Sequence, residues 1–416
     1  MSRNRLDRPL IVIVALLLAF GILMVYSAGQ TDVRTPANGA WIRQLVWAGI
    51  ALVAGAVVFR INFRILEWAA PGIYALGIAL LVLVLLVGTG AGSAAGSKSW
   101  LAVGGVRLGQ PVELAKLATI LLLARYLSSL REAPQTLRQL VIPCLFVGVP
   151  FLLVMMQPDL GSAIVFIGVL FAMLFWAGVS PRLLLLLASP VVSLLLAAST
   201  AWWVGWMVLL TALLILWRPH VYVTEGVLIW LVNSAMGIVA IIVWTRVLKS
   251  YQQQRLMSFL NPEADPVRSG YQLIQSKVAI GSGGLLGNGF LEGPQKRLAF
   301  LPEQYTDFIF AVLGEELGFV GVTAALLLFF LLFIAIVRIA RRATDPFASL
   351  AAFGVLGLFF THLFENVGMT INVMPITGIP LPFFSYGGSF LLACGMAIGL
   401  VMRVAWDSRL SGYADV

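Results

Sequence analysis

The sequence contains few charged residues, few histidines and few cysteines. Asp, Glu, Lys and Arg make up 11% of its 416 residues, whereas 60% of the residues are hydrophobic. Because soluble domains carry about 25% charged residues, this composition excludes an ordinary soluble protein and indicates an integral membrane protein. The net charge of +9 is typical of Lys and Arg in the cytoplasmic loops of such a protein.

The scarce residue types also exclude several kinds of site. Cys144 and Cys394 both lie in apolar runs, where a free cysteine is usually a small buried hydrophobic residue. The histidines, His220 and His362, are far apart, and no spacing of His and Cys matches a zinc site. No run combines dense basic residues with aromatic ones, so the sequence predicts no nucleic-acid partner.

Twelve apolar segments are long enough to cross a bilayer. In lipid each must be a helix, because an α-helix satisfies its own backbone hydrogen bonds. The sequence therefore predicts an all-α polytopic integral membrane protein with about 12 transmembrane helices. At ~1.5 Å per residue the segment 306–337 would run ~48 Å, so we expect one of its ends to stand in water. The segments are 9–28, 43–59, 68–88, 111–127, 139–156, 160–178, 182–200, 202–217, 224–247, 306–337, 348–371 and 380–404.

The distribution of basic residues predicts which side each loop occupies. Arg3, Arg5 and Arg8 precede the first segment and place the N-terminus inside. Lys and Arg in the other short connections agree with this orientation throughout the chain. The polar interval 249–305 is then extracytoplasmic, on a multi-pass protein of the cytoplasmic membrane.

The stretch from Lys249 to Asp307 is the only long polar interval in the sequence. Long loops in compact proteins are usually functional or disordered, and this one has too many aromatic and aliphatic residues for disorder. We therefore predict that it carries the chemical site. Its glycine run, 281–289, lacks the Gly-Lys-Ser/Thr end of a phosphate-binding loop and is interpreted as a turn or loop that permits close packing, with a phosphate cradle as the alternative. The carboxylates before Asp307 are Glu263, Asp265, Glu292 and Glu303.

Several ionisable residues fall within or at the ends of apolar segments. Glu113 and Lys116 share a helix face, and either line a polar site or act separately as a helix cap and an interfacial lysine. Asp159 is equally a helix N-cap or a site residue. Glu315 and Glu316 are adjacent and cannot share a face, so we expect one to point into a cavity and the other at a partner group.

The C-terminal part combines a polar helix face with an irregular stretch. His362, Glu365 and Asn366 share a face, and core hydrogen bonding is the expected role of His362 and Asn366. The stretch 374–389 is dense in Pro and Gly and cannot be a regular helix throughout. Irregular backbone at membrane depth either lines a cavity or is buried in protein, so we expect this stretch to face the segment that carries Asp265.

Several sets of residues form motifs that occur together. They are Gln110-Pro-Val-Glu-Leu-Ala-Lys116, Gln157-Pro-Asp-Leu-Gly161, Asn261-Pro-Glu-Ala-Asp-Pro266, Gln275-Ser-Lys-Val-Ala-Ile-Gly-Ser-Gly-Gly284, Thr306-Asp-Phe-Ile-Phe-Ala-Val-Leu-Gly-Glu-Glu-Leu-Gly318 and Met374-Pro-Ile-Thr-Gly-Ile-Pro-Leu-Pro-Phe383 with Ser385-Tyr-Gly-Gly-Ser389. Together these motifs resemble the shape, elongation, division and sporulation (SEDS) family of bacterial membrane glycosyltransferases, and within it the RodA branch. The resemblance covers residues 1–181 and 249–405. One departure is the pair Gln304 and Tyr305, where the family usually has a basic residue and a histidine.

The resemblance implies a fold and an activity. Family members have ten spans, so the apolar interval 182–248 is expected to hold an inserted helix pair. The whole chain, 1–416, is then one membrane domain whose catalytic loop is 249–305. The implied activity is polymerisation of lipid II into β-1,4 glycan strands during cell elongation. The donor is a strand on undecaprenyl pyrophosphate, and the anomeric carbon is inverted.

The resemblance also implies site residues and partners. Asp265 matches the family's catalytic aspartate and is expected to act as a general base, although spacing alone leaves it equally a turn residue before Pro266. The pyrophosphate needs a counter-cation, which a basic side chain or a divalent cation, Mg²⁺ or Mn²⁺, can supply. The expected protein partner is a class B penicillin-binding protein, a transpeptidase. The expected substrate-binding residues are Arg107, Glu113, Lys116, Asp159, Lys277, Glu315 and Ser385.

The residues leave two other classes of function open. A lipid II flippase or other transporter would use the same intramembrane charges but needs alternating access, and the placement of the polar interval on one side argues against it. A non-catalytic scaffold for a cell-wall synthase would leave those charges unexplained. Purified protein supplied with lipid II and no partner transglycosylase separates the three, because only an enzyme forms polymer.

Overall fold

The structure is a computed structural model of a helical protein. It describes residues 6–90, 99–103, 106–197, 199–217, 223–242, 244, 246, 253 and 269–411. Within these ranges the regular elements are α1 (Arg8–Ala28), α2 (Ala40–Arg60), α3 (Phe63–Val87), β1 (Leu101–Val103), β2 (Val106–Gly109), α4 (Val112–Ser129), α5 (Leu137–Met156), α6 (Leu160–Trp176), α7 (Pro181–Leu196), α8 (Thr200–Leu216), α9 (Val223–Ile242), α10 (Ser269–Ser282), α11 (Pro294–Arg297), α12 (Ile309–Arg342), α13 (Pro346–Thr370) and α14 (Gly388–Ser411).

The predicted class, an all-α polytopic membrane protein, is confirmed. Each of the twelve predicted apolar segments overlaps one of the long helices. By length and composition, eight of the described helices can cross a membrane; α6, α7 and α8 are apolar but shorter, and α4 is the most polar of the set. The antiparallel hairpin of β1 and β2 was not predicted.

Three helices begin at an aspartate whose side chain accepts a backbone N–H: Asp7, Asp159 and Asp345.

Helix α13 lies at the centre of the bundle, against α4, α6, α12 and α14. Its glycines allow close approach of neighbouring helices. A Cβ on Gly354 would lie 2.6 Å from Ile120 Cγ2, and one on Gly357 would lie 2.6 Å from Ala172 Cβ. Helices in lipid associate through close packing of this kind, since lipid is as apolar as the side chains. The polar residues of α13 are therefore held in the protein interior.

Helix α12 is not the continuous rod that was expected. Gly318 has φ 59° and ψ −158°, which breaks the helix and favours glycine over any residue with a side chain. The N–H groups of Phe319 and Val320 instead donate to the carbonyl oxygens of Gly284 and Leu285, at 2.9 and 3.1 Å. The expectation of one helix too long for the bilayer is therefore wrong, because a neighbouring turn replaces its hydrogen bonds at this point.

The glycine run 281–289 supplies that turn. Helix α10 ends at Ser282, and the N–H groups of Asn288 and Gly289 donate to the carbonyl oxygens of Glu315 and Glu316, both at 3.0 Å. A Cβ on Gly287 would overlap the backbone of α12. The prediction of a turn that permits close packing is confirmed.

The polar interval 249–305 contains two helices, α10 and α11, in its described part. Leu273, Ser276 and Ala279 of α10 are buried at helical spacing, and α10 packs against α12 and α13. Asp265 lies outside the described residues, as does most of the chain between α9 and α10.

Helices α7, α8 and α9 form a lateral group. Helix α8 packs against α7 and α9, and a separate apolar cluster of Leu186, Met207, Leu210 and Ile229 holds the three together. Inside this group, Asn233 Nδ2 donates to Ser189 Oγ at 2.8 Å. The expected inserted helix pair falls in this region and stays a prediction.

Helices α2 and α14 touch through small residues. A Cβ on Gly55 would lie 2.6 Å from the Gly395 carbonyl oxygen, and one on Gly399 would overlap the Gly55 carbonyl oxygen. The backbones therefore pack directly, with no space for a methyl group between them.

We predict that Gly399→Ala lowers the free energy of unfolding by about 1–3 kcal/mol, because the added methyl group forces α2 and α14 apart. The matched control is Gly49→Ala on α2, where nothing lies within 4 Å of an added Cβ. Unfolding in detergent, followed by circular dichroism, should show a loss for the first variant and none for the second. Equal stability of the two variants would contradict the close packing.

Candidate active site

A lysine ammonium group is buried among the helices. Lys116 on α4 is 1% exposed, and its Nζ lies 2.9 Å from Glu113 Oε1 and 3.1 Å from His362 Nε2. We call these three residues the Lys116 cluster. A buried charge is costly unless it is paired, so this arrangement favours a polar site over separate roles for Glu113 and Lys116 as a cap and an interfacial lysine.

His362 is fixed in one tautomer by its two neighbours. Its Nδ1 lies 3.1 Å from the Pro380 carbonyl oxygen, which can only accept a hydrogen bond. Nδ1 must therefore carry the proton, and Nε2 is left to accept from the Lys116 ammonium group. The expected core hydrogen bonding of His362 is confirmed, and it joins α13 and the irregular stretch after it to α4.

Asp159 combines the two roles that the sequence left open. Its Oδ1 accepts from the Ser162 N–H at 3.0 Å and caps α6. Its Oδ2 accepts from Gln110 Nε2, also at 3.0 Å. The carboxylate is also close enough for its charge to act on Glu113 and Glu365. Asp159 is therefore a cap that also borders the Lys116 cluster.

Glu365 places a buried carboxyl group beside the Lys116 cluster. It is 1% exposed, and neither carboxyl oxygen forms a well-directed hydrogen bond within the described part of the chain. The Thr377 hydroxyl group lies within hydrogen-bonding reach of this carboxyl group, and the Lys116 ammonium group is close enough for its charge to act on it. The Nδ2 group of the neighbouring Asn366 donates to the carbonyl oxygens of Asp307 at 2.9 Å and Ile379 at 2.7 Å. Sequence patterning placed Glu365 on this face but gave it no role.

None of the other predicted site residues contacts the Lys116 cluster within the described part of the chain. Ser385 is buried, and its Oγ donates to the Thr306 carbonyl oxygen at 2.5 Å and accepts from the Leu381 N–H at 2.7 Å. That hydroxyl therefore ties two loops together. Lys277 is exposed on α10. Arg107 lies on β2 with its side chain outside the described residues, and Asp265 is not described.

A second buried ion pair joins α11 to α12 and α1. Lys296 Nζ lies 2.6 Å from Glu316 Oε1 and 3.1 Å from Ser27 Oγ, and both charged side chains are fully buried. The sequence does not predict the burial of Lys296, because a lysine in a polar interval resembles a solvated one. The available signal was Glu316 itself, since a carboxylate inside an apolar segment requires a cation nearby.

The expectation that one of the adjacent glutamates points into a cavity is wrong. Glu316 binds Lys296, and Glu315 is also fully buried. Its Oε1 accepts from the Gln295 N–H at 2.6 Å and its Oε2 from the Lys296 N–H at 3.2 Å. Both carboxylates therefore bind α11. Glu316 binds the Lys296 ammonium group, and Glu315 binds N–H groups of the first turn, which no helix carbonyl can satisfy.

The described residues do not form a metal site. They contain no group of three or more His, Cys, Asp or Glu side chains that could hold an ion. Glu113, Asp159 and Glu365 approach the same region, but the Lys116 ammonium group already supplies the positive charge there. The divalent cation predicted from the sequence is therefore not assigned to these residues.

These features define a multi-pass membrane protein with an ionic centre buried between α4, α6 and α13. The family model described as "FTSW_RODA_SPOVE: Cell cycle protein" matches residues 8–207 and 204–410, so the chain belongs to this family.

Three similar proteins agree with that assignment. The peptidoglycan glycosyltransferase RodA of Treponema pallidum is 36% identical over 438 aligned residues, which cover 96% of this chain and 97% of the relative. A chain of a peptidoglycan synthase complex that coordinates polymerisation and crosslinking has a TM-score of 0.72 at 29% identity and covers 97% of this chain and 98% of its own. The rod shape determining protein RodA of Thermus thermophilus has a TM-score of 0.62 at 27% identity, with 97% of each chain covered.

We predict that the buried pair is energetically coupled. Lys116→Met or Glu113→Leu alone leaves a buried charge unpaired and should lower the free energy of unfolding by about 3–5 kcal/mol. The double variant should lose clearly less than the sum of the two. Unfolding in detergent measures all three losses.

The partly exposed pair Arg403 and Asp407 on α14, with an N–O distance of 2.9 Å, is the control. Removing either of its side chains should cost at most about 0.5 kcal/mol. Strictly additive losses at Lys116 and Glu113 would show that the two residues act independently.

Proposed function

We propose that the chain polymerises lipid II into β-1,4-linked glycan strands during cell elongation. The observation that carries the proposal is the buried Lys116 ammonium group, paired with Glu113 and His362. Membership of the family makes the chain a membrane glycosyltransferase of the kind named peptidoglycan glycosyltransferase in its relatives. The similarity to rod shape determining proteins supports elongation as the process served.

The reaction needs a base for the acceptor hydroxyl. Asp265 takes the proton of the 4-hydroxyl group of a lipid II sugar, and the hydroxyl oxygen then attacks the anomeric carbon of the donor strand. The bond between that carbon and the pyrophosphate oxygen breaks, and pyrophosphate leaves with the electron pair on its undecaprenyl carrier. Attack opposite to the leaving group converts the α-linked donor into a β-1,4 link.

The leaving pyrophosphate needs a positive charge, and Lys116 is suited to provide it. Two of its three N–H donors are directed at Glu113 and His362, and within the described part of the chain the third has no partner, so it can bind a phosphate oxygen. In the tautomer fixed by Pro380, the His362 Nδ1 proton is directed at a carbonyl oxygen and Nε2 accepts from Lys116. The imidazole ring therefore has no N–H group to offer the anion. A buried, oriented cation acts strongly because little water screens it.

Further contacts to the substrate come from the surrounding polar residues. Arg107 and Lys277 are proposed to bind the anionic head group, and Asp159, with Gln110, to accept hydrogen bonds from sugar hydroxyls. A divalent cation, Mg²⁺ or Mn²⁺, is a second candidate counter-charge, and its ligands would have to include residues beyond those described.

The proposed setting is the bacterial cytoplasmic membrane, with the interval 249–305 on the outer side. The positive-inside distribution of Lys and Arg supports this orientation. A class B penicillin-binding protein is the proposed partner, supported by the similarity to a chain of a synthase complex that combines polymerisation with crosslinking.

We predict that Asp265→Asn abolishes polymer formation, with a loss of about 10²–10⁴-fold, because the amide keeps the shape but cannot take the proton. The assay uses purified protein, lipid II and no partner enzyme, with product length read on a gel. The control is Asp32→Asn, an exposed residue paired with Arg297 at 3.4 Å, which should keep wild-type activity.

Near-normal polymer from Asp265→Asn would contradict the role of this aspartate. If the wild-type protein makes no polymer but moves lipid II across vesicle membranes, the chain is a transporter. If it does neither, the chain is a scaffold.

A further inference from the structure

Two tyrosines and an arginine form a surface group beside the irregular C-terminal stretch. The rings of Tyr305 and Tyr386 lie 5.5 Å apart between centroids, tilted by 40°, and both residues are half-buried. The exposed Arg43 guanidinium lies 5.3 Å from the Tyr386 ring centroid, and its Nη2 donates to the Pro36 carbonyl oxygen at 3.0 Å. We call Tyr305, Tyr386 and Arg43 the tyrosine platform.

Hydrogen bonds fix the backbone that carries the tyrosine platform. The Tyr386 N–H donates to the Tyr305 carbonyl oxygen at 2.9 Å, which fixes one ring relative to the other. Gln44 of α2 spans the same loop, since its Nε2 donates to the Ser385 carbonyl oxygen at 3.0 Å and its Oε1 accepts from the Gly387 N–H at 3.4 Å. A surface fixed by three chain segments loses little entropy when it binds a ligand.

The phenol hydroxyl groups are free to bind a ligand. Within the described part of the chain, neither the Tyr305 nor the Tyr386 hydroxyl forms a hydrogen bond, and neither is sealed from solvent. Burial, helped by the charge of Glu303, raises the pKa of Tyr305 to about 12. Its hydroxyl therefore stays protonated near neutral pH and can donate as well as accept.

The neighbouring charges select the class of ligand. Among the described residues, the negative charge of Glu303 and the positive charge of Arg43 both act on Tyr305. Because these two opposite charges balance, the platform offers a phosphate or another anion no net attraction. A lipid tail would require a continuous apolar surface rather than two phenols beside a carboxylate and a guanidinium group. A neutral ligand rich in hydroxyl and amide groups, with an apolar ring face for the tyrosines, fits this combination.

The platform adjoins the ionic centre through α13. Asn366 holds the carbonyl oxygens of Asp307 and Ile379, and the Asp307 carboxylate lies 3.4 Å from where a Cβ on Gly378 would be. Because Asn366 lies one helical turn after His362, and Asp307 lies two residues after Tyr305, these contacts join the platform to the helix that carries the Lys116 cluster.

We propose that Tyr305, Tyr386 and Arg43 bind an N-acetylated sugar ring of the glycan, by stacking on the rings and by hydrogen bonds to hydroxyl and acetamido groups. The inference rests on the proposed function for the identity of the glycan. The saccharide class rests on the platform itself, so the two can be tested separately.

The test is binding of the neutral disaccharide di-N-acetylchitobiose to the purified full chain in detergent, by isothermal titration calorimetry. The wild-type protein should bind it, Tyr305→Leu should bind it about tenfold more weakly, and Tyr305→Trp should stay within about twofold, since an indole also stacks. The matched control is Phe300→Leu, an aromatic residue 41% exposed near the same loop; it should bind as the wild type does.

Kinetics with lipid II provide the second measurement. Tyr305→Leu should raise KM about tenfold and leave kcat within about twofold, because a remote sugar contact contributes binding rather than chemistry. Three results would overturn the platform: no disaccharide binding by the wild type, equal binding by Tyr305→Leu, or preference for inorganic pyrophosphate over the disaccharide. Disaccharide binding that depends on Tyr305, in a protein that makes no polymer, would overturn the proposed function and leave the platform standing.

Discussion

The buried ammonium group of Lys116 imposes the main constraint on the arrangement of the bundle. It is 1% exposed and lies among apolar helices, where an unpaired charge is strongly destabilising. Glu113 provides the opposite charge from the same helix, and His362 provides a neutral acceptor from α13. The histidine can serve only because the Pro380 carbonyl oxygen fixes its tautomer. The Lys116 cluster therefore fixes the positions of α4, α13 and the irregular stretch after α13 relative to one another.

A second buried cation, Lys296, fixes the position of the polar interval 249–305 against the helices. Lys296 pairs with Glu316 and Ser27, so the short helix α11 is anchored to α1 and α12. The segment that continues from it carries Tyr305 and reaches the loop of Tyr386. The two ion pairs therefore fix the irregular parts of the chain on both sides of the surface where the glycan is proposed to bind. Irregular backbone at membrane depth needs such support, because lipid cannot satisfy its polar groups.

The sequence predicts the parts of this structure that depend on local pattern. Apolar segments, the turn at 281–289 and the pairing of Glu113 with Lys116 all follow from spacing within a few turns. The break at Gly318 depends on carbonyl groups of a turn more than thirty residues earlier, so no helical pattern reveals it. The contact between Ser27 and Glu316 joins residues 289 positions apart. The local pattern around Lys296 does not predict its role either, since burial of a lysine depends on a partner supplied by another segment.

Lys116 is proposed to be the cation that binds the pyrophosphate group of the substrate. Equilibrium binding of undecaprenyl pyrophosphate to the chain in lipid nanodiscs tests it without relying on catalysis. The account predicts that Lys116→Met weakens binding about 10- to 100-fold, whereas Arg403→Met, which removes a cation from a partly exposed pair, leaves it unchanged. Equal affinity of Lys116→Met and wild type for undecaprenyl pyrophosphate, with both proteins folded, would contradict the account.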